Sequence, residues 1–208
     1  MSEIFVSTHP IVLHELSVLR DRNTPPAVFR QALHRVALAL LQAATGDLDT
    51  RKVIVQTPLE SAEGLALNVR VGLAPILRAG LGMVEAGLAW LPQAEVWHLG
   101  FYRDETTLQP VKYYSPLGTR PLPEVMIVLD PMLATGGSAV AAVNELRRHG
   151  ARRVKFVGVL AAPEGIARLR EAHPEVQIYL AAVDRALNEH GYILPGLGDV
   201  GDRQFGTA

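Results

Sequence analysis

Short runs of apolar residues alternate with amphipathic helical stretches over most of the chain, and this alternation constrains the fold more than any other feature. Strands that are apolar throughout are buried on both faces, as in parallel sheets covered by helices. The pattern predicts an α/β fold with a central, mostly parallel sheet flanked by helices. The runs are KVIVQT, NVRVGLAPIL, AEVWHLGFY, EVMIVLD, RVKFVGVLAA and VQIYLAAVD, and the helical stretches include GLGMVEAGLAWL, SAVAAVNELRRHG and PEGIARLREAH.

The first 46 residues have a helical pattern instead. Apolar residues recur at helical spacing up to Leu19, and the chain is then interrupted at Pro25 and Pro26. A second helix is expected after the prolines, with Thr24 as its N-cap. We expect an N-terminal helical extension joined to the sheet, and a single domain over residues 1–208, because no linker or repeat divides the chain.

Composition excludes several classes of protein. The 208 residues carry a net charge of −1 and include no cysteine, so disulfides and thiolate metal sites are excluded. No uncharged apolar run approaches the roughly 18 residues of a membrane span, and the first residues lack the basic region of a signal peptide. We therefore expect a soluble cytoplasmic protein with no nucleic-acid or membrane partner.

The segment VLDPMLATGGS follows the strand predicted at 125–129. Asp130 stands at the carboxyl end of that strand, and Pro131 is expected to end its ladder of hydrogen bonds. Small and hydroxyl residues at 134–138 then open a helix, whose free N–H groups and dipole favour a phosphate. A carboxylate beside such a cradle can accept hydrogen bonds from ribose hydroxyls. Together they describe a site for ribose 5-phosphate, unless Ser138 only caps the helix.

A second strand-to-helix turn contains an arginine between glycines. Arg78 follows an apolar strand and precedes Gly80 and Gly82. Guanidinium groups bind phosphates in bidentate fashion, so this turn is a candidate for a second anion. The alternative is a packing turn that carries a surface arginine.

The C-terminal stretch GYILPGLGDVGD is rich in glycine. Gly196, Gly198 and Gly201 spell G-x-G-x-x-G, but the helix and second strand that a dinucleotide site requires have no room after them. Glycine lets main chain approach a ligand closely, so the tail is a candidate recognition loop. A frayed terminus is the alternative.

With these motifs in order, the chain resembles the type I phosphoribosyltransferases, in particular their uracil-specific branch. The general signature has two adjacent acids, whereas this chain has Leu129 and Asp130, and a single acid followed by proline is similar to the uracil branch. The resemblance implies transfer of the 5-phosphoribosyl group from 5-phospho-α-D-ribose 1-diphosphate to uracil, with UMP and diphosphate as products.

The resemblance also implies roles for individual residues. Arg78, Asp130 and Asp199 would be the catalytic residues, and Asp199 would act on Mg²⁺ indirectly, through the donor diphosphate or water. Segment 100–123 would be a flexible arm that closes the site, with Arg103 binding the donor. The residues implied in substrate binding are Arg78, Arg103, Asp130, Pro131, Met132, Leu133, Ala134, Thr135, Gly136, Gly137, Ser138, Ile193, Gly198, Asp199 and Val200, of which Ile193, Gly198 and Val200 would bind the base.

The resemblance further implies GTP as an effector and a homodimer or higher homo-oligomer. Two other functions are left open by the residues. One is a phosphoribosyltransferase for a different base. The other is a regulator that binds UMP or the sugar donor together with an RNA leader, although the near-zero net charge argues against the basic face that RNA requires.

Overall fold

The computed structural model describes residues 4–103, 110–118 and 120–207. A 3₁₀ helix over Ala79–Met83 lies between the fourth strand and the third α-helix. In chain order the other elements are β1 (Ile4–Val6), α1 (Pro10–Arg20), α2 (Pro26–Ala44), β2 (Thr50–Gln56), β3 (Ser61–Leu67), β4 (Val71–Leu77), α3 (Val84–Trp90), β5 (Glu95–Val96), β6 (Leu99–Arg103), β7 (Pro110–Tyr114), β8 (Val125–Leu129), β9 (Met132–Leu133), α4 (Gly137–Arg148), β10 (Arg153–Ala161), α5 (Pro163–Ala172), β11 (Gln177–Val183), β12 (Ala186–Leu187), β13 (Ile193–Leu194) and α6 (Val200–Phe205).

The central sheet has the strand order β1-β11-β10-β8-β4-β6-β7, with β5 added to β4 and β9 added to β10. Of these strands, β7 alone among the described pairings runs antiparallel to its neighbour. The prediction of a mostly parallel sheet is therefore confirmed. All five residues of β8 are buried, as a strand covered on both faces must be.

Helices cover the two faces of the sheet. On one face α2 contributes fully buried side chains such as Phe29, Leu33 and Leu40. On the other face α4 contributes Val143 and Leu146. Among the described residues, no helix is both long enough and apolar enough to cross a bilayer.

The predicted N-terminal helices are present as α1 and α2, but two details differ from the sequence prediction. A short strand, β1, precedes them and pairs in parallel with β11 at the sheet edge. The N-cap position of α2 is Pro25, and it makes no side-chain cap bond. Thr24 is not the cap because its hydroxyl donates to the carbonyl of Val18 at 2.7 Å, which closes the turn between the helices.

The run KVIVQT is a strand, but it lies outside the central sheet. It forms β2, which pairs only locally with β3 in an antiparallel hairpin. The turn between them is closed by the Thr57 N–H, which donates to the carbonyl of Glu60 at 3.0 Å. A β-branched run specifies an extended backbone but not its partner, and a short turn favours the adjacent strand. Ile54 and Leu65 of this hairpin are about 70% exposed.

The predicted arm at 100–123 begins as a second hairpin. Strands β6 and β7 pair antiparallel at the sheet edge, with Arg103 opposite Pro110. Lys112 on β7 donates to the buried carboxylate of Glu145 on α4 at 2.6 Å. Residues 104–109 and 119 lie outside the described residues, so closure of an arm over the site stays a prediction.

Candidate active site

Three segments meet in a cavity of about 190 Å³ at the carboxyl edge of the parallel strands, where α/β sheets bind ligands. The turn after β4 supplies Ala79, and the loop after β8 supplies Met132 and Ala134. The C-terminal tail supplies the remaining wall, including Ile193, Gly198, Asp199 and Val200.

A larger cavity, of about 490 Å³, lies behind the Arg78 turn between α2, α3 and α6. None of the residues predicted for the site lines it. Cavity size is therefore not a sufficient criterion for the binding site. The polar main chain and the anion-binding turns favour the smaller cavity as the site.

The loop after β8 has the geometry of an anion cradle. Helix α4 begins at Gly137, with Gly136 at the N-cap position in the left-handed conformation, φ 76°. Ser138 lies in the first turn of the helix and is not its cap, so the alternative interpretation of Ser138 is wrong. The main-chain N–H groups of this first turn have no partner within the helix and are available to a phosphate.

Helix α5 approaches this cradle closely because Gly165 has no side chain. A Cβ at Gly165 would lie 2.4 Å from the carbonyl oxygen of Ala134. The approach brings the Arg168 guanidinium to the loop, where Nη1 lies 3.5 Å from the Thr135 carbonyl oxygen. Sequence reasoning missed Arg168, which lies 33 residues beyond Thr135 of the motif. The glycine in the first turn of α5 was the signal for such an approach.

Asp130 ends β8 beside the cradle. Its main-chain N–H donates to the Val157 carbonyl at 3.2 Å, and its carboxylate accepts from the Met132 N–H at 3.2 Å. Burial raises the pKa of Asp130 to about 7, and the hydrogen bond from Met132 offsets only part of that shift. The carboxyl group therefore changes charge near neutral pH, as site residues often do.

Pro131 does not end the strand pairing, contrary to the sequence prediction. Its carbonyl oxygen accepts from the N–H groups of both Val159 and Leu160, at 3.0 and 2.9 Å. Met132 and Leu133 then rejoin β10 in parallel register. A proline lacks the N–H but keeps its acceptor, so the pairing is interrupted at Asp130 and Pro131 and resumes in the same register. The Leu133 side chain packs in the core, so only its main chain faces a ligand.

Arg78 connects the turn after β4 to the C-terminal tail. Its Nη2 donates to Asp202 Oδ1 at 2.8 Å, and the same oxygen accepts from the Thr207 hydroxyl at 2.7 Å. These two hydrogen bonds, that from Thr207 first, lower the pKa of Asp202. More than half of the Arg78 side chain remains exposed, so its guanidinium keeps donors for an anion. Asp202 was not predicted as a site residue.

The glycine-rich tail is folded and is not a frayed end. Leu197 and Ile193 are buried, and Gly198 adopts a left-handed φ of 72°. Asp199 caps α6 by accepting from the Asp202 N–H at 2.9 Å. The backbone of residues 193–200 therefore has a defined path along the cavity.

The structure brings together most of the residues predicted for the site. The cavity is lined by residues of the tail together with Met132 and Ala134. Beside it lie Arg78, Asp130 and the 135–138 turn, through the contacts described above. Arg103 is the exception, because its side chain lies outside the described part of the chain.

Comparison with known proteins agrees with this geometry. The family model for uracil phosphoribosyltransferase matches residues 6–207. The chain belongs to the uracil phosphoribosyltransferase family. It is 54% identical over 207 residues to a protein named uracil phosphoribosyltransferase from Roseiflexus sp. (strain RS-1), and 50% identical over 208 residues to one from Symbiobacterium thermophilum, covering the whole of each protein.

Solved structures show the same fold. The AQ2163 protein from Aquifex aeolicus superposes with a TM-score of 0.93 at 37% identity, over 99% of both chains. A hypoxanthine-guanine phosphoribosyltransferase from Bacillus anthracis superposes with a TM-score of 0.51 at 10% identity, over 76% of this chain and 80% of the other. The second similarity concerns the fold alone, and with the first it confirms a type I phosphoribosyltransferase architecture.

Proposed function

We propose that this member of the family transfers the 5-phosphoribosyl group from 5-phospho-α-D-ribose 1-diphosphate to N1 of uracil, giving UMP and diphosphate. The observation that supports it most is the shared cavity, which is lined by the turn after β4, the loop after β8 and the C-terminal tail. A sugar held at the cradle would present C1 to this cavity. The bond between C1 and the diphosphate breaks, the bond to N1 forms, and the N1 proton passes to the departing diphosphate or to solvent.

The chain's contribution is positioning and charge stabilisation. The α4 N-terminus fixes the 5-phosphate, and Asp130 accepts hydrogen bonds from the ribose hydroxyls. The C1 centre passes through an oxocarbenium-like state, which needs no enzyme nucleophile. Arg78 stabilises negative charge on the departing diphosphate, and holding both reactants in one cavity removes the entropy cost of their encounter.

Base selection is assigned to the main chain of the tail. Uracil presents two carbonyl acceptors and one N–H donor on its edge, and peptide N–H and C=O groups can match all three. Cytosine would direct an amino group at a peptide N–H and leave buried polar groups unpaired. Such mismatches reject an analogue by roughly 10⁴-fold.

A panel of bases tests the proposal. The purified protein is given the sugar donor, Mg²⁺ and uracil, cytosine, hypoxanthine or orotate in turn, and nucleotide formation is followed. We expect UMP from uracil and at least a roughly 10⁴-fold lower kcat/KM with the others. Turnover of a different base, or RNA binding that falls with salt in the absence of turnover, would contradict the proposal.

Mg²⁺ is part of the proposed reaction. Among the residues that the structure describes, no group of three or more acidic or histidine side chains is placed to hold a metal ion. This suits Mg²⁺, which binds nucleotide-type substrates through their phosphates and one or two carboxylates. Asp199, exposed at the cavity wall, is the carboxylate that would reach the ion through the diphosphate or water. When bound, the ion neutralises charge on the leaving group.

Self-association is supported by the β2–β3 hairpin. Its exposed apolar side chains, Ile54, Leu59 and Leu65, are 68–95% exposed in the single chain. Exposed apolar surface of this kind marks interaction sites, and we infer that the hairpin packs against a second copy of the chain. GTP activation and a cytoplasmic location stay predictions.

Arg168 is expected to contribute to binding of the sugar donor. Replacing Arg168 by Met removes a guanidinium beside the phosphate cradle. We expect the KM of the donor to rise about 5- to 20-fold with little change in kcat. The reason is that hydrogen bonds to charged groups contribute about 1.5–3 kcal/mol, and the effect is reduced here because the Arg168 side chain is exposed. Steady-state kinetics at saturating uracil measure it. Arg170→Met is the control, because residues two apart on a helix face opposite sides. Equal effects of the two variants would remove Arg168 from the site.

The raised pKa of Asp130 predicts a pH dependence. The ionised carboxylate accepts more strongly from ribose hydroxyls than the protonated acid does, so kcat/KM for the donor should rise through a midpoint near pH 7, the pKa of the free enzyme. The profile of Asp130→Asn should lack this transition at its lower level of activity. A wild-type profile that is flat from pH 6 to 8, once donor ionisation is subtracted, would contradict the assignment.

A further inference from the structure

An arginine–carboxylate pair lies beneath the tail, outside the cavity. Arg20, at the end of α1, contacts Asp184 with both ends of its guanidinium, at 2.6 and 3.0 Å. The two side chains also bind both backbone groups of one tail residue, Gly196. Arg20 Nη1 donates to the Gly196 carbonyl at 3.1 Å, and the Gly196 N–H donates to Asp184 Oδ2 at 2.8 Å.

Asp184 is a rigid support for this contact. It directly follows β11, its own N–H donates to the Ala161 carbonyl of β10 at 2.8 Å, and its side chain is 5% exposed. Burial alone would raise the pKa of Asp184, but the hydrogen bonds from Arg20 and Gly196 lower it below its ordinary value. The carboxylate therefore stays ionised through the neutral range.

Gly196 lies between two parts of the cavity wall, three residues after Ile193 and two before Gly198. Gly196 adopts a left-handed φ of 66°, and a Cβ there would lie 2.1 Å from the Ile193 carbonyl oxygen. The next carbonyl, that of Leu197, accepts from Arg203 at 2.8 Å. Arg203 also donates to the carbonyls of Leu19 and Asp21 at the end of α1. The path of the tail is therefore set by α1 and β11 and not only by the tail itself.

We propose that Arg20 and Asp184 are positioning residues for base recognition, which hold the backbone of Gly196 so that the main chain of 198–200 is directed at the pyrimidine edge. Neither side chain lines the cavity. This inference rests on the proposed function, because it assigns uracil to the tail. It makes the N-terminal helix part of the specificity of the site.

The chain offers a matched control for this pair. Arg35 on α2 binds Glu15 on α1 in the same bidentate manner, at 2.6 and 2.9 Å, and Glu15 is equally buried. Breaking that pair removes a contact between α1 and α2 but no hydrogen bond to the tail. A residue that matters only for stability would behave like Arg35, whereas a positioning residue changes the kinetics of one substrate.

The experiment compares Arg20→Met, Arg20→Lys, Asp184→Asn and Arg35→Met by steady-state kinetics and thermal unfolding. For Arg20→Met and Asp184→Asn we expect the KM of uracil to rise at least about tenfold, because a buried hydrogen-bonding group loses its partner. The KM of the donor should stay within about twofold, and the preference for uracil over cytosine should fall. Arg20→Lys should recover part of the loss. Arg35→Met should lower the melting temperature and leave both KM values unchanged.

Other outcomes overturn the inference. The inference is wrong if a folded Arg20→Met protein has an unchanged KM for uracil. It is also wrong if the KM values of uracil and of the donor rise equally, or if Arg35→Met raises the KM of uracil as much as Arg20→Met does. If Arg20→Met does not fold, Arg20→Lys and Asp184→Asn give the same comparison, and hydrogen exchange at the Gly196 amide should speed up in both. Wild-type protein that does not convert uracil would contradict the proposed function, whereas an active wild type with unaffected variants contradicts only the positioning role.

Discussion

Asp130→Asn is expected to reduce turnover at least about 100-fold while leaving the fold intact. The change keeps the shape of the side chain but removes the negative charge that strengthens its hydrogen bonds from the ribose hydroxyls, and charge-assisted hydrogen bonds are about twice as strong as neutral ones. The Asp130 N–H, which donates to the Val157 carbonyl, does not involve the charge, and an asparagine side-chain oxygen can still accept from the Met132 N–H, so the end of β8 should keep its path. UMP formation at saturating substrates measures the loss.

The same variant should be more stable than the wild type at pH 8. The folded pKa of about 7 lies above the ordinary value of 3.8, so ionising Asp130 costs stability increasingly as pH rises from about 4 to 7. Removing the charge should add on the order of 2 kcal/mol, discounted for the partial exposure of the group. Denaturant unfolding at pH 4 and pH 8 tests this, with a smaller difference expected at pH 4.

Glu124→Gln is the control for Asp130→Asn. Glu124 directly precedes the same strand at the opposite edge of the sheet, where it accepts from the Arg70 N–H. Its substitution should leave turnover unchanged. An Asp130→Asn protein with unchanged turnover would remove Asp130 from the site, whatever its stability.

Arg78→Met is expected to lower kcat about 10²- to 10³-fold. More than half of the Arg78 side chain is exposed, and removal of one donor to a developing anion costs about 2.7–4 kcal/mol in comparable sites. Arg78→Lys should recover only part of the rate, because an ammonium cannot bind the diphosphate in bidentate fashion.

Asp202→Asn separates the two roles that the structure allows for Arg78. If Arg78 only ties the turn after β4 to the tail through Asp202, both variants should lose activity equally. If Arg78 binds the diphosphate, Asp202→Asn should keep most of kcat, because the guanidinium is retained. Equal losses in the two variants would contradict the assignment of Arg78 to the leaving group.

The sheet and its helices could be predicted from the sequence because continuous apolar runs specify strands that are buried on both faces. The partner of a strand could not be predicted where pairing with the next strand in sequence competed with pairing in the central sheet, as for the run that forms β2. The strand β1 was missed because three residues carry too little periodicity. A single domain over 1–208 remains a prediction.

The site was predictable where the chemistry is local in sequence. Residue types at the ends of strands and helices indicate the cradle, Asp130 and the glycine-rich tail. Contacts across the sequence were not predictable, such as Arg20 with Gly196, 176 residues apart, and Arg78 with Asp202, 124 residues apart. Arg20 and Asp202 are ordinary charged residues on helices, and only the folded chain brings them to their partners.

A crystal structure of the protein with UMP and diphosphate bound tests the central claim most directly. We expect the 5-phosphate at the 134–138 turn, the ribose hydroxyls on Asp130, diphosphate at Arg78, and the pyrimidine edge against the main chain of 193–200. A nucleotide bound in the larger cavity between α2 and α6, or a pyrimidine ring that does not contact the tail, would contradict it.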